Sequence, residues 1–319
     1  MKPMLNRRTV LKGLLGSALS LFTLHPGKRA AAHDFTGYES NLGVLVDLSR
    51  CVGCRSCEAA CNKEQGLPPP QLPFSDMGVY EAQENPHGRR TDQTRYTVVN
   101  RYDSPDWDHP LFKKTQCNHC LEPACLTACC VNAYTKTPEG AVIYNPDVCV
   151  GCRTCMIACP FSMPAFRYDS AFEPRIMKCV FCYDTRLSKN QAPACVEACP
   201  MEALTFGNRK TLLRSARKRI REHPERYQNY IYGESEAGGT SWLYLSPVPF
   251  AEAGFDMEVP KQPILNFVKD FLAVVPMVLT IWPGLFAGMY LLNRHRITKD
   301  SQDSALVSNE ELDHEKHDG

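Results

Sequence analysis

The sequence carries almost no excess of either charge, and it lacks the motifs on which most enzyme classes depend. Its 36 Lys and Arg residues nearly balance its 35 Asp and Glu residues, which leaves a formal net charge of +1. This balance gives no indication of binding to nucleic acid or to another polyanion. We find no phosphate-binding glycine loop, no nucleophile–base pair and no open metal position, so the sequence predicts a chain that is not itself an enzyme.

Cysteine, in contrast, is abundant, with 17 in 319 residues. All but one fall into four groups of four. The first and third groups have the spacing C-x2-C-x2-C-x3-C, the second has C-x2-C-x4-C-x3-C, and the fourth has C-x2-C-x12-C-x3-C. In chain order, the groups are Cys51, Cys54, Cys57 and Cys61; Cys117, Cys120, Cys125 and Cys129; Cys149, Cys152, Cys155 and Cys159; and Cys179, Cys182, Cys195 and Cys199.

The third group, which Pro160 follows, has the spacing of bacterial ferredoxins. Three thiolates on a tight loop reach three irons of one cubane, and the fourth, which we expect on a short helix leading away, ligates a different cluster. Two groups of this kind therefore bind two clusters by exchanging their last cysteines. The four groups together predict four [4Fe–4S] clusters as cofactors, with all sixteen grouped cysteines as metal ligands.

Zinc sites and disulfides are the two alternatives to iron–sulfur clusters. Zinc ribbons also use C-x2-C pairs, but they combine two pairs across a longer gap. Disulfides form poorly between cysteines so close in sequence. The remaining cysteine, Cys130, directly follows Cys129. We assign Cys129 as the ligand because it keeps the x3 spacing, although x4 spacing would also let Cys130 reach the cluster.

The N-terminus resembles a twin-arginine export signal. Arg7 and Arg8 precede a modest apolar run at residues 13–24, and three alanines at residues 30–32 follow as a cleavage site. The apolar run is too short for a membrane anchor, which needs about 20 apolar residues. The sequence therefore predicts export of a folded protein across the cytoplasmic membrane.

A second apolar segment lies near the C-terminus, where residues 271–292 contain no charge. This length is sufficient to cross a bilayer as a helix. Arg294, Arg296 and Lys299 follow it, whereas Lys269 before it is balanced by Asp270. The positive-inside rule then predicts a cytoplasmic C-terminus and a body on the periplasmic side of the inner membrane.

An internal repeat indicates the organisation of the body. Residues 42–47 (LGVLVD) and 141–147 (AVIYNPD) precede the first and third groups, and each is typical of a short strand followed by a turn. Residues 165–168 and 203–206 are candidate partner strands. The pattern resembles the ferredoxin fold, which implies that groups two and three form an inner unit and that groups one and four form the second unit around it.

The remaining segments are an insertion and a basic helix. The proline-rich insertion contains one plausible strand at residues 94–102. Residues 209–226 predict a basic helix with Leu212, Leu213, Ala216 and Ile220 on one face. The predicted domains are a signal peptide at 1–32, a double ferredoxin-like body at 33–210 with the insertion at 65–116, the basic helix and an irregular extension at 211–263, a transmembrane helix at 264–293, and a disordered cytoplasmic tail at 294–319.

These motifs resemble the four-cluster iron–sulfur subunits of the DMSO-reductase and formate-dehydrogenase type. Pro123 in the second group and the long gap of the fourth group carry this resemblance. The leader and the single C-terminal helix narrow it to the membrane-anchored HybA type of uptake [NiFe] hydrogenase subunit. The resemblance implies an α+β fold of tandem ferredoxin-like domains with insertions, plus one transmembrane helix. It also implies nested exchange, in which Cys199 joins the first group, Cys61 the fourth, Cys159 the second and Cys129 the third.

The function that the resemblance implies is electron transfer. The chain would relay electrons between a periplasmic [NiFe] hydrogenase, as the catalytic partner, and a polytopic, quinone-reactive membrane subunit. The alternative is the same relay attached to a molybdopterin oxidoreductase, of the formate dehydrogenase or DMSO/sulfur-compound reductase type. In either case the partner would catalyse the reaction, and this chain would only transfer the electrons.

Overall fold

The structure, a computed structural model, describes residues 38–81, 88–170, 173, 175–267, 274–294 and 297. The predicted signal peptide and most of the predicted tail lie outside the described residues. The described chain is a mixed α+β protein, as the sequence predicts.

The strands and helices are short, apart from two helices. The strands are β1 (Leu42–Asp47), β2 (Thr97–Tyr102), β3 (Leu111–Gln116), β4 (Tyr134–Lys136), β5 (Val142–Tyr144), β6 (Ala165–Phe166), β7 (Ile176–Met177), β8 (Leu204–Asn208) and β9 (Trp242–Leu245). The helices are α1 (Ser56–Glu64), α2 (Ala124–Thr127), α3 (Thr154–Ala158), α4 (Ala194–Glu197), α5 (Arg209–Glu222) and α6 (Val274–Arg294).

The central sheet has the order β8–β1–β9. β1 runs antiparallel to β8 and parallel to β9, with Val44 opposite both Phe206 and Trp242. The apolar residues of β1 alternate between two cores: Val44 packs with Trp242, and Leu45 packs with Leu212 of α5. Both faces of β1 are therefore buried, which explains its nearly continuous apolar run.

The pairing of β1 with β8 joins the start of the first cysteine group to the end of the fourth. β1 ends four residues before Cys51, and β8 begins five residues after Cys199. Two of the segments predicted as strands, 42–47 and 203–206, are thus found as neighbours. β9 differs from the expectation, because it lies within the extension that the sequence predicts to be irregular. Its run, WLYL, is buried at every position and does not alternate.

Two small hairpins belong to the inner cysteine groups. β4 and β5 pair antiparallel between groups two and three, and β6 and β7 pair antiparallel between groups three and four. β5 falls within the predicted segment 141–147 and β6 within 165–168. β4 and β7, which have three and two residues, were not predicted from the sequence.

The insertion contains a hairpin of β2 and β3. The predicted strand at 94–102 is found as β2, and its partner β3, which the sequence did not indicate, leads directly into Cys117. A buried ion-pair network fastens this insertion to α1. Glu58 of α1 accepts from Arg55 (3.1 Å), from Arg89 (2.8 Å) and from the backbone N–H of Val99 (2.6 Å).

We predict that Glu58→Gln destabilises the body by about 3–5 kcal/mol, because it leaves buried Arg55 and partly buried Arg89 beside α1 without a counter-charge. The measurement is the urea midpoint of the cluster-loaded protein under anaerobic conditions. Glu222→Gln is the matched control, since Glu222 pairs only with exposed Lys218 at 3.6 Å, and it should change stability by less than about 0.5 kcal/mol. Equal effects of the two changes would contradict a structural role of the network.

α6 is the one helix of the described chain that has the length and apolar composition of a membrane span. It covers 21 residues and none of its apolar stretch is buried against the body. A buried core helix would have protein neighbours around the same apolar sequence, which α6 does not have among the described residues.

Candidate iron–sulfur centres

In the structure, cysteines from different groups of the sequence line the same cavities. Site I contains Cys51, Cys54, Cys57 and Cys199, which line one cavity together with Val52, Val99, Lys114 and Leu204. Three of these cysteines come from the first group and one from the fourth. β1 and β8 cause this convergence, because their pairing brings the chain after β1 against the chain before β8.

Site III is a second cavity of the same kind. Its thiols are those of Cys117, Cys120, Cys125 and Cys159, and Pro160, Phe161 and Lys178 also line it. Three thiols come from the second group and one from the third. Four thiols around a largely apolar cavity are the donor set and surroundings that a [4Fe–4S] cluster requires, so the residues present fit this cofactor.

Sites II and IV are assigned from the effect that neighbouring thiols have on the pKa of one cysteine in each set. Burial raises the pKa of Cys61, and Cys179, Cys195 and Cys182 add to the rise, which defines site II. Burial likewise raises the pKa of Cys155, with further contributions from Cys149, Cys152 and Cys129, which define site IV. The shared cavities of sites I and III agree with the sets that nested exchange implies. The grouping of sites II and IV, and the assignment of individual cysteines as iron ligands, stay predictions.

The sites follow one another in the order I, II, III, IV. Burial raises the pKa of one thiol at each junction, and a thiol of the next site adds to that rise. The pairs are Cys57 with Cys195, Cys179 with Cys117, and Cys125 with Cys155. The four sets therefore form a connected series rather than four separate centres.

The loops that carry the thiols depend on left-handed backbone. In the first group, Gly53 has φ 69°, and a Cβ there would lie 2.4 Å from the ring of Phe112. Arg55 (φ 60°) then turns the chain into α1, and Arg153 (φ 60°) does the same before α3. The first and third groups therefore repeat the same backbone conformation as well as the same sequence pattern, and each loop folds back around the space between its cysteines.

The position of the fourth cysteine differs from the expectation. We expected it on a short helix, and only Cys61 lies within one, because α1 continues to Glu64. Cys159 and Cys199 stand just beyond α3 and α4, where the following proline does not continue a helix. Asn62 replaces that proline after Cys61, so α1 is free to extend.

Backbone N–H groups point at several of the sulfur atoms. Ala133 donates to Cys129 (3.2 Å), Phe181 to Cys179 (3.4 Å) and Gly151 to Cys149 (3.4 Å). Such hydrogen bonds stabilise the negative charge of a thiolate. They act against burial, which raises the pKa of Cys51 to about 11 and that of Cys179 to about 12, so cluster binding must displace protons from these thiols.

Two buried lysines stand beside the sites. Lys114 of β3 lines site I, and Lys178 lines site III. Lys178 donates to the carbonyls of Val142 (2.5 Å) and Cys179 (3.1 Å). Neither lysine is predicted from the sequence, because a lysine in a short strand or loop gives no signal that it is buried.

Cys130 lies apart from the four sets. Its side chain is exposed, whereas Cys129 is partly buried and accepts the Ala133 N–H. Cys130 contacts Cys152 of site IV, and this contact helps to lower the pKa of Cys152, after the larger effect of Thr154. Within the described residues, no three His, Cys, Asp or Glu side chains are close enough for a single metal ion.

The fold and the thiol sets define a ferredoxin-type iron–sulfur protein with multiple [4Fe–4S] clusters. The family model described as a 4Fe-4S dicluster domain matches residues 109–209. A protein of Nitratidesulfovibrio vulgaris is 49% identical over 290 residues, covering 91% of this chain and 77% of its own.

Two further relatives carry informative names. The hydrogenase-2 operon protein HybA of Escherichia coli O157:H7 is 33% identical, covering 81% of this chain and 84% of its own. The nitrate-inducible formate dehydrogenase iron–sulfur subunit of Escherichia coli K12 is 30% identical, covering 68% and 74%. The chain therefore belongs to the family of iron–sulfur subunits that includes HybA and the formate dehydrogenase iron–sulfur subunits.

Proposed function

We propose that the chain is a non-catalytic electron-transfer subunit that holds four [4Fe–4S] clusters. It would relay electrons between a periplasmic [NiFe] hydrogenase and a quinone-reactive membrane subunit. When bound, such clusters accept and release single electrons at potentials that their surroundings set. The observation that carries the proposal is the convergence of sixteen thiols into four neighbouring sets.

The two ends of the series support a relay. Cys54 of site I and Cys152 of site IV are exposed, whereas three of the four cysteines of site II are buried. Apolar side chains are also exposed near each end, with Val52 at 49% beside site I and Ile157 at 87% beside site IV. A redox partner can therefore approach either terminal site closely, as entry and exit of electrons require.

The proposed location is the periplasmic face of the inner membrane. The twin-arginine motif supports export, and α6 supports anchoring by a single span. The basic residues after α6 favour a C-terminus in the cytoplasm. The predicted division at 33–210, 211–263, 264–293 and 294–319 is part of this proposal, with β9 added to the body.

The choice of catalytic partner rests on the relatives. HybA, a protein of a hydrogenase operon, matches a larger share of this chain than the formate dehydrogenase subunit does. HybA also matches at slightly higher identity. The formate dehydrogenase relatives support the second candidate, the same relay attached to a molybdopterin enzyme.

We expect the complex, purified from native membranes in mild detergent, to contain a hydrogenase large subunit and about sixteen cluster irons in this chain. Hydrogen should reduce the clusters, as followed by low-temperature EPR, and formate should not. Copurification of a molybdopterin subunit, with reduction by formate instead, would replace the hydrogenase by the second candidate. Far fewer than sixteen irons and no reduced-cluster signal would end the relay proposal altogether.

A further inference from the structure

Lys114 is a buried ammonium group without a counter-charge nearby. Its residue is 3% exposed. Its Nζ donates to Thr97 Oγ1 (2.8 Å) and to Gln116 Oε1 (2.9 Å), and it lies 4.5 Å from the centre of the Trp242 ring. Within the described part of the chain, no carboxylate lies within ion-pair distance of it. These neutral contacts hold the charge in place and do not cancel it.

The positive charge of Lys114 lies close to the cysteines of two sites. Lys114 lines the cavity of site I. Burial works to lower the pKa of Lys114, but the thiols around it raise that pKa above its ordinary value. These thiols are Cys195, Cys57, Cys179 and Cys61, one from site I and three from site II. Thr97, which accepts a hydrogen bond from Lys114 Nζ, also lines a small cavity with Cys61 of site II. Lys114 thus stands between the two sites.

Other buried cations near these sites are either compensated or turned away. Arg55 and Arg89 share the carboxylate of Glu58. Lys113, the neighbour of Lys114 in β3, faces the opposite side, where it donates to the Gly254 carbonyl and lies over the rings of Tyr102 and Phe255. Lys178, the other buried lysine near the sites, lines the cavity of site III and donates to the carbonyls of Val142 and Cys179. Lys114 is therefore the buried lysine that lines the cavity of site I.

We propose that Lys114 raises the reduction potentials of the clusters at sites I and II together. The inference rests on the proposed four-cluster relay. Reduction adds one electron and one negative charge to a cluster without making or breaking a bond in the protein. A fixed positive charge in a medium of low dielectric constant stabilises the reduced form more than the oxidised form. The two clusters at this end of the series would accept electrons more readily because they share this ammonium.

The test is an EPR-monitored potentiometric titration, with dithionite as reductant, of the detergent-purified complex. Lys114→Met keeps the length of the side chain and removes its charge. We expect two of the four midpoint potentials to become more negative, with each reduction equilibrium weakened at least tenfold, or 59 mV for a one-electron couple. The other two should change less than threefold. Lys113→Met is the matched control, and Lys114→Arg, which keeps the charge, should leave all four within threefold.

The outcomes separate this inference from the proposed function. Four clusters in Lys114→Met with unchanged potentials would overturn the role of Lys114 and leave the relay intact. A wild-type chain without four clusters would overturn the relay itself. Should Lys114→Met lose clusters, Lys114→Gln repeats the measurement. Cluster loss in both neutral variants, with retention in Lys114→Arg, would make Lys114 an assembly residue and also overturn the inference.

Discussion

Cys199→Ser is expected to remove or convert the cluster at site I, although the other cysteines of that site lie far earlier in the chain. Cys199 lines the same cavity as Cys51, Cys54 and Cys57. A cubane that loses one of its four thiolates loses its hold on one iron. Complete loss of the cluster would lower the iron content from about sixteen to about twelve per chain. Iron analysis and low-temperature EPR measure this change.

Two further variants make the test specific. Cys54→Ser should affect the same EPR signal as Cys199→Ser, because both residues belong to site I. Cys61→Ser should affect a different signal, that of site II, although Cys61 belongs to the same sequence group as Cys54. If Cys61→Ser and Cys54→Ser abolished the same signal while Cys199→Ser abolished another, the nested exchange would be wrong.

The adjacent pair Cys129 and Cys130 should respond very differently to serine. Cys130→Ser should leave four clusters, whereas Cys129→Ser should lose or convert the cluster at site IV. The physical reason is the position of the two thiols. Cys129 contributes to the raised pKa of Cys155 and accepts a hydrogen bond from the Ala133 N–H at 3.2 Å. Cys130 is exposed at the edge of the site. Each variant serves as the control for the other, since both remove one thiol at neighbouring positions.

The reverse outcome would have a clear meaning. Cluster loss in Cys130→Ser, with four clusters kept in Cys129→Ser, would show that the ligand spacing of the second group is x4. Loss in both variants would show that Cys130 supports site IV through its contact with Cys152.

Local features were predictable where the interaction that causes them is local. β1 has a continuous apolar run with turn residues after it, and it is found at residues 42–47 as predicted. The basic helix was also correct in its buried face, and it ends at Glu222 because Pro224 prevents continuation. The strand β9 was missed, because its four apolar residues lie in a segment rich in glycine and proline, and their pairing with the distant β1 is not visible in the local sequence.

The sequence by itself determined that the protein binds iron–sulfur clusters. Three ligands of a cubane come from one tight loop, so their spacing can be recognised within a short segment of the sequence. It also determined the apolar C-terminal helix, because a membrane span is a continuous apolar run.

Only the tertiary structure brings Cys199 into one cavity with Cys51, Cys54 and Cys57, since that depends on the pairing of β1 with β8. It alone decided that Lys114 is buried between two sites while Lys113 faces away. Such positions depend on contacts between residues far apart in the chain, and no local spacing records them.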